Sequence, residues 1–171
     1  MGAVTYPTLE HVAMAGRPYP THLLEGCETG LVLFAAAFLG HNDAIHFAMA
    51  GMRSFCVDND SPRLAEMRDI YPDDWGFLYG DAWDIAERDR EHGLTYDAVS
   101  ADTWTGDLMR RSLDSLDLWC SLARKLVTVT ITDDAIDTYR KPEGWRSFLF
   151  LRAPGVYWLA LSRGDNAAGD L

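Results

Sequence analysis

The feature that most constrains this chain is an alternation of two hydrophobic periods. Short apolar runs recur at Leu31-Val32-Leu33-Phe34, Ser54-Phe55-Cys56-Val57, Trp75-Gly76-Phe77-Leu78-Tyr79, Tyr96-Asp97-Ala98-Val99 and Leu126 to Thr132. Each reads as a strand: the first as one buried on both faces, the fourth running on to Asp102 and into a loop, and the last alternating Val or Ile with Thr. Between them lie segments whose apolar residues return every three or four positions. These are Ile45, Ala48, Met49 and Met52; Leu64, Met67 and Tyr71; the polar stretch from Trp83 to Glu91; and Leu116, Trp119, Cys120 and Ala123 within a helix from Leu108 to Ala123. Those segments read as amphipathic helices.

Punctuation supports the boundaries. Asn42 or Asp43 can cap the first helix, which Gly51 ends, and Pro62 takes the first helical position after the turn Asp58-Asn59-Asp60-Ser61. Pro72 stops the second helix. At the far end, Phe148 to Leu151 and Val156 to Leu161 flank Arg152-Ala153-Pro154-Gly155, the pattern of an antiparallel hairpin. Alternating strands and helices argue for a parallel sheet with helices on both faces, because each crossover must return its apolar stripe to the sheet. The expectation is a single α/β domain over 1–171. It comprises a lead-in segment at 1–29, with a short helix near 8–15, and a core at 30–171 built on a mostly parallel seven-stranded sheet that ends in the hairpin. At 171 residues and 48% apolar composition, the chain is large enough to bury such a core.

Composition weighs against several functions. The formal charge of −11 disfavours nucleic-acid phosphates, whose binding depends on Lys and Arg. Cys27, Cys56 and Cys120 are widely spaced, with no zinc-site or disulfide pattern, so buried reduced thiols and no metal are expected. The apolar stretch from Leu31 to Leu39 is too short to span a bilayer, and the first residues lack a signal-peptide pattern. A cytoplasmic protein with no membrane partner is expected.

In open parallel sheets, ligands bind beyond the carboxyl ends of the strands. The second, third and fourth strands deliver Asp58, Asp81 and Asp102 to that edge. An acid at the end of the second strand, about twenty residues past the first turn, is placed to bind both hydroxyls of a ribose. Asp60 or Ser61 can cap the following helix, which leaves Asp58 available. The first turn offers Ala36, Phe38 and Gly40 where a dinucleotide needs glycines, and no Lys-Ser/Thr phosphate cradle is present. A ribose-bearing ligand without phosphates remains.

At this point the chain resembles the class I S-adenosylmethionine-dependent methyltransferases, a Rossmann-like three-layer sandwich, from about residue 30 to the hairpin. The segment Phe34-Ala35-Ala36-Ala37-Phe38-Leu39-Gly40 stands where the family has an acid followed by alternating glycines; Gly40 is kept, Ala36 is a mild change, and Phe34 replaces the acid. Val57-Asp58-Asn59-Asp60-Ser61-Pro62 is similar to the second family motif, which implies that Asp58, with Asn59 beside it, binds the ribose. Gly80-Asp81-Ala82 is similar to the third, which implies adenine contacts for the Asp81 carboxylate and the Ala82 N–H. Tyr96 to Trp104 is similar to the fourth, which implies that Asp102 and Trp104 border the methionine part of the cofactor and the acceptor. Asp102 is the candidate catalytic base and can also compensate for the acid lost at Phe34; Trp104 can stack on adenine, wall the acceptor pocket or simply pack.

The resemblance implies S-adenosylmethionine as cofactor and methyl transfer to a small molecule or a protein. Two alternatives stand beside it. Phe34 and Phe38 fit a methyltransferase-like protein that has lost the cofactor and acts by binding a partner. The Ala-Asp-Thr-Trp segment at 101–104 is loosely similar to the spermidine-synthase-like branch, which uses a relative of this cofactor. Few residues are left for a lid over the acceptor, which suits an open pocket or a site completed by another subunit of a homo-oligomer.

Overall fold

The structure, a computed structural model, describes residues 19–35, 43–103 and 106–163. The short helix expected near 8–15 lies outside the described residues. After a 3-10 turn at Thr21–Leu24, the chain alternates strand and helix: β1 (Thr29–Leu33), α1 (Ala44–Met49), β2 (Arg53–Asp58), α2 (Ser61–Ile70), β3 (Gly76–Tyr79), α3 (Ala82–Glu91) and β4 (Tyr96–Ala101). Then come α4 (Asp107–Asp114), α5 (Leu116–Leu122), β5 (Ala123–Thr132), β6 (Trp145–Ala153) and β7 (Val156–Arg163). The seven strands form one sheet in the order β3-β2-β1-β4-β5-β7-β6. The first five pair in parallel, and β7 runs antiparallel to both β5 and β6. The expected mostly parallel seven-stranded α/β sandwich with a terminal hairpin is therefore the observed one.

Period-two alternation along the strands feeds two cores, one on each face of the sheet. Leu31, Leu33 and Val57 pack with Trp83 of α3 and Trp119 of α5. Val32 and Cys56 point the other way, toward Phe47 of α1, Met67 of α2, Tyr19 and Trp158. All three cysteines are buried and free. No helix among the described residues is long and apolar enough to cross a membrane.

Two local departures from the sequence pattern have clear causes. The segment expected as one helix from Leu108 to Ala123 is two, α4 and α5, broken at Ser115. The Ser115 hydroxyl donates to the Arg111 carbonyl one turn back at 2.8 Å and accepts the Trp83 indole N–H at 2.9 Å. Such back-bonding competes with helix continuation and bends the chain. Arg152, expected in the hairpin turn, instead lies within β6 with its side chain buried. Pro154-Gly155 alone makes the turn, with Gly155 at φ +72°.

Close packing across the sheet constrains one glycine sharply. A Cβ at Gly30 would lie 2.5 Å from the Phe47 ring and 2.7 Å from Ser54 Oγ, both on fully buried side chains. Gly30→Ala should lower stability by about 1–3 kcal/mol, the usual cost of overpacking, as measured by urea denaturation.

Candidate functional site

Strand order reverses between β1 and β4, and in open sheets of this kind the carboxyl edge near that point is where ligands bind. A cleft of about 370 Å³ opens at this edge, lined by Phe34, Asp58, Asn59, Asp81, Ala82 and Trp83, with Arg63 and Arg111 also on its walls. That volume lies in the range of small-ligand sites. The four described residues expected around an adenosine, namely Asp58, Asn59, Asp81 and Ala82, are thus brought to one place.

Asp58 and Asp81 are held by local hydrogen bonding. Asp58 ends β2 nearly buried, and its Oδ1 accepts the Asp60 N–H at 2.8 Å, which shapes the turn. Asp60, as expected, caps α2 by accepting the Arg63 N–H at 3.1 Å. The Asp58 carbonyl accepts the Gly80 N–H at 3.0 Å, tying the ends of β2 and β3 together. Asp81 caps α3, its Oδ1 accepting from the N–H groups of Trp83 and Asp84 at 2.9 and 3.2 Å. The Ala82 N–H heads that helix, where no preceding helical carbonyl can reach it.

The cleft has an aromatic and cationic wall that the sequence did not signal. Phe34 adopts φ +57°, a left-handed conformation that side chains rarely take, and its ring meets Trp83 edge-on with centroids 5.0 Å apart. On the Trp83 ring lies the Arg111 guanidinium, 3.7 Å from the centroid. Only position-independent cues, an Arg on one helix and a Trp on another, were available beforehand.

Asp102 is placed elsewhere. It is buried just past β4, where Thr130 donates to Oδ1 and Arg152 Nη1 donates to Oδ2 at 2.7 Å. Arg152 also donates to Thr130 at 2.9 Å, and its guanidinium lies 3.9 Å from the Trp158 ring centroid. Asp43 joins the same buried cluster. It occupies the N-cap position of α1 but makes no capping bond through its side chain. Its Oδ2 accepts from Ser100 of β4 and, at 3.0 Å, from Thr128 of β5, which in turn accepts from the Tyr19 hydroxyl at 3.0 Å. His46 stacks on Tyr19, 5.1 Å between centroids. The one available signal lay in the period-two hydroxyls Thr128 and Thr130, which share a sheet face with Ser100. Ala36, Gly40 and Trp104 lie outside the described residues.

Burial sets the protonation of this cluster. Removal from water, and secondarily the Asp102 charge, push the Asp43 carboxyl up to about 7. Burial, and then the Arg152 charge, hold His46 down to about 4. The two act oppositely on stability. A raised Asp43 contributes stability that is present below the usual carboxylate range and is lost as pH rises toward 7; a lowered His46 costs stability as pH falls below its usual range. The stability of the wild type relative to Asp43→Asn should therefore fall by about 2–4 kcal/mol between pH 4 and 7.5, as followed by denaturation at each pH. A difference independent of pH would contradict this reading.

No family model and no curated protein matches the sequence. Solved structures do. An O-methyltransferase family protein from Burkholderia thailandensis superposes with a TM-score of 0.61 at 12% identity over 92% of this chain and 56% of that one. A SAM-dependent methyltransferase from Agrobacterium tumefaciens gives a TM-score of 0.57 at 14% identity, covering 91% and 60%. A hypothetical protein from Thermus thermophilus gives 0.61 at 12% identity, covering 95% and 89%. The chain spans only 46%, 51% and 56% of the length of three of the methyltransferase structures it matches. With the strand order, the terminal hairpin and these superpositions together, the chain has the Rossmann fold of the S-adenosylmethionine-dependent methyltransferases.

Proposed function

We propose that the protein is an S-adenosylmethionine-dependent methyltransferase acting on a small molecule or a protein. The observation that carries this reading is the convergence of Asp58, Asn59, Asp81 and Ala82 on one cleft at the carboxyl edge of the sheet. The residues present fit the adenosine half of the cofactor. The nearly buried Asp58 carboxylate suits a pair of ribose hydroxyls, and the acceptor Asp81 beside the donor N–H of Ala82 suits the edge of an adenine ring. Bound there, the cofactor supplies an activated methyl group.

The remaining work falls to the chain. Arg111, stacked on Trp83, and Phe34 shield one wall from water. Asp102, buried past β4 and held by Arg152 and Thr130 outside the lining of the cleft, is the residue the resemblance offers as the base for the acceptor's proton. A protein or small-molecule acceptor agrees with the chain's net negative charge, which works against nucleic acid.

One observation favours a second reading, a partner-binding protein that has lost the cofactor: Phe34, where the resemblance calls for an acid, lines the cleft with a strained backbone. Calorimetric titration of the chain with S-adenosylmethionine separates the two. Binding should be saturable below about 1 mM, with a rise in melting temperature, and Asp58→Ala should weaken it about 10- to 100-fold, the value of hydrogen bonds to a charged group. No heat at millimolar ligand would favour the second reading.

A further inference from the structure

We infer that the outer edge of β6 is where two copies of this chain join, strand against strand, across a two-fold axis perpendicular to the sheet. The inference goes beyond the methyltransferase reading and does not depend on it.

The backbone sets the problem. β6 (Trp145–Ala153) is the outermost strand of the sheet, and among the described residues it pairs with β7 alone. Its register with β7 is regular from Trp145 to Leu151. Along that length it presents an outward row of N–H and C=O groups, a template for one more strand. Edges of monomers are commonly blunted by a charge or a proline on the strand. Here the middle of the edge is Ser147-Phe148-Leu149-Phe150-Leu151, with neither.

The side chains narrow the choice of partner. Phe148, Leu149 and Leu151 are 41%, 44% and 44% exposed. The other large apolar side chains exposed among the described residues, Met49, Tyr79, Leu94 and Leu108, are scattered along the chain. Trp145 belongs to the core on one face of the sheet, and Phe150 packs against the core on the other. The two-residue period therefore puts Leu149 and Leu151 on the Trp145 face and Phe148 on the Phe150 face. A helix laid on one face would leave the other wet. A strand added at the edge meets both.

Symmetry and charge select a second copy as that strand. Under a two-fold perpendicular to the sheet, β6 meets its own copy antiparallel, with odd positions opposite odd and even opposite even. The leucine face then meets the leucine face, and the phenylalanine face its equal. The ends of the edge match as well. Arg140 and Lys141, which lead into β6, and Arg146 near its start are exposed and pair with no carboxylate among the described residues. Arg63, Arg88, Arg90, Arg110 and Arg124 each do pair with one. At the opposite end the Asp133 N–H donates to the Gly155 carbonyl at 3.1 Å, which sets the exposed Asp133 and Asp134 beside the hairpin turn. Antiparallel pairing thus brings the basic start of each β6 toward the acidic end of the other. A two-fold contact also closes on itself and leaves no edge of β6 to recruit a third copy.

Sedimentation equilibrium of the full chain from about 1 to 200 µM should show a monomer–dimer equilibrium with a micromolar dissociation constant, as suits a strand-sized contact. Leu149→Lys sets like charges against each other near the axis and should weaken the dimer about tenfold or more, with the circular dichroism spectrum unchanged. Phe148→Lys should do the same from the other face. Tyr79→Lys, on β3 at the far edge of the sheet, should leave dimerisation as it was. A chain that stays monomeric at the highest concentration overturns the inference without any variant. So does a dimer that survives both β6 substitutions in folded protein, a dimer that Tyr79→Lys dissolves, or an assembly that keeps growing past two copies. Dimerisation and S-adenosylmethionine binding are measured separately, so either reading can fail without the other.

Discussion

Everything in this molecule depends on β1 having strands on both edges and helices on both faces. It pairs in parallel with β2 on one side and β4 on the other, and Leu31, Val32 and Leu33 have no exposure at all. A strand in that position satisfies its backbone only through its neighbours, and it can carry only apolar side chains. In chain order β1 is followed by β2 on one side of it, and β4 by β5 on the other. The crevice between them follows from this geometry, independently of what lines it.

The cleft and the buried cluster are two ways of using that crevice. In the cleft, carboxylates and N–H groups at helix starts are kept near water, each oriented by one or two short backbone hydrogen bonds such as those from Asp60 to Asp58 and from Trp83 to Asp81. In the cluster, polar groups are removed from water, and their charges are balanced within the sheet by the Asp102–Arg152 pair and the hydroxyls of Ser100, Thr128 and Thr130. Burial of that kind is costly unless every member is satisfied. Asp43 and His46 are accordingly displaced in opposite directions by the same desolvation.

Phe34 shows how the two regions meet. Its left-handed backbone directs the ring against Trp83, on the cleft side of β1, while the chain continues from it toward α1 and Asp43. A residue type that reads as a lost acid in the sequence is, in the fold, part of an aromatic wall completed by Arg111 from α4.

The sequence by itself determined the elements and their class. Apolar runs such as Leu31 to Leu33 and Ser54 to Val57 can be nothing but buried strands, and helical periodicity between them demands crossovers, so a parallel sheet and its ligand-bearing edge were legible, as was the capping turn at Asp58-Asn59-Asp60. Those are local properties, decided within about ten residues of chain. Tertiary structure alone decided which acids meet: Asp58 and Asp81 share a cleft because β2 and β3 are neighbours, whereas Asp102 turns to an arginine 50 residues away on the hairpin. It also turned Asp43 from a helix cap into a buried acceptor between β4 and β5, 57 and 85 residues distant in sequence. No periodicity records such a choice, because both faces of the central strands are buried and a carboxylate's partner is set by which strands lie side by side.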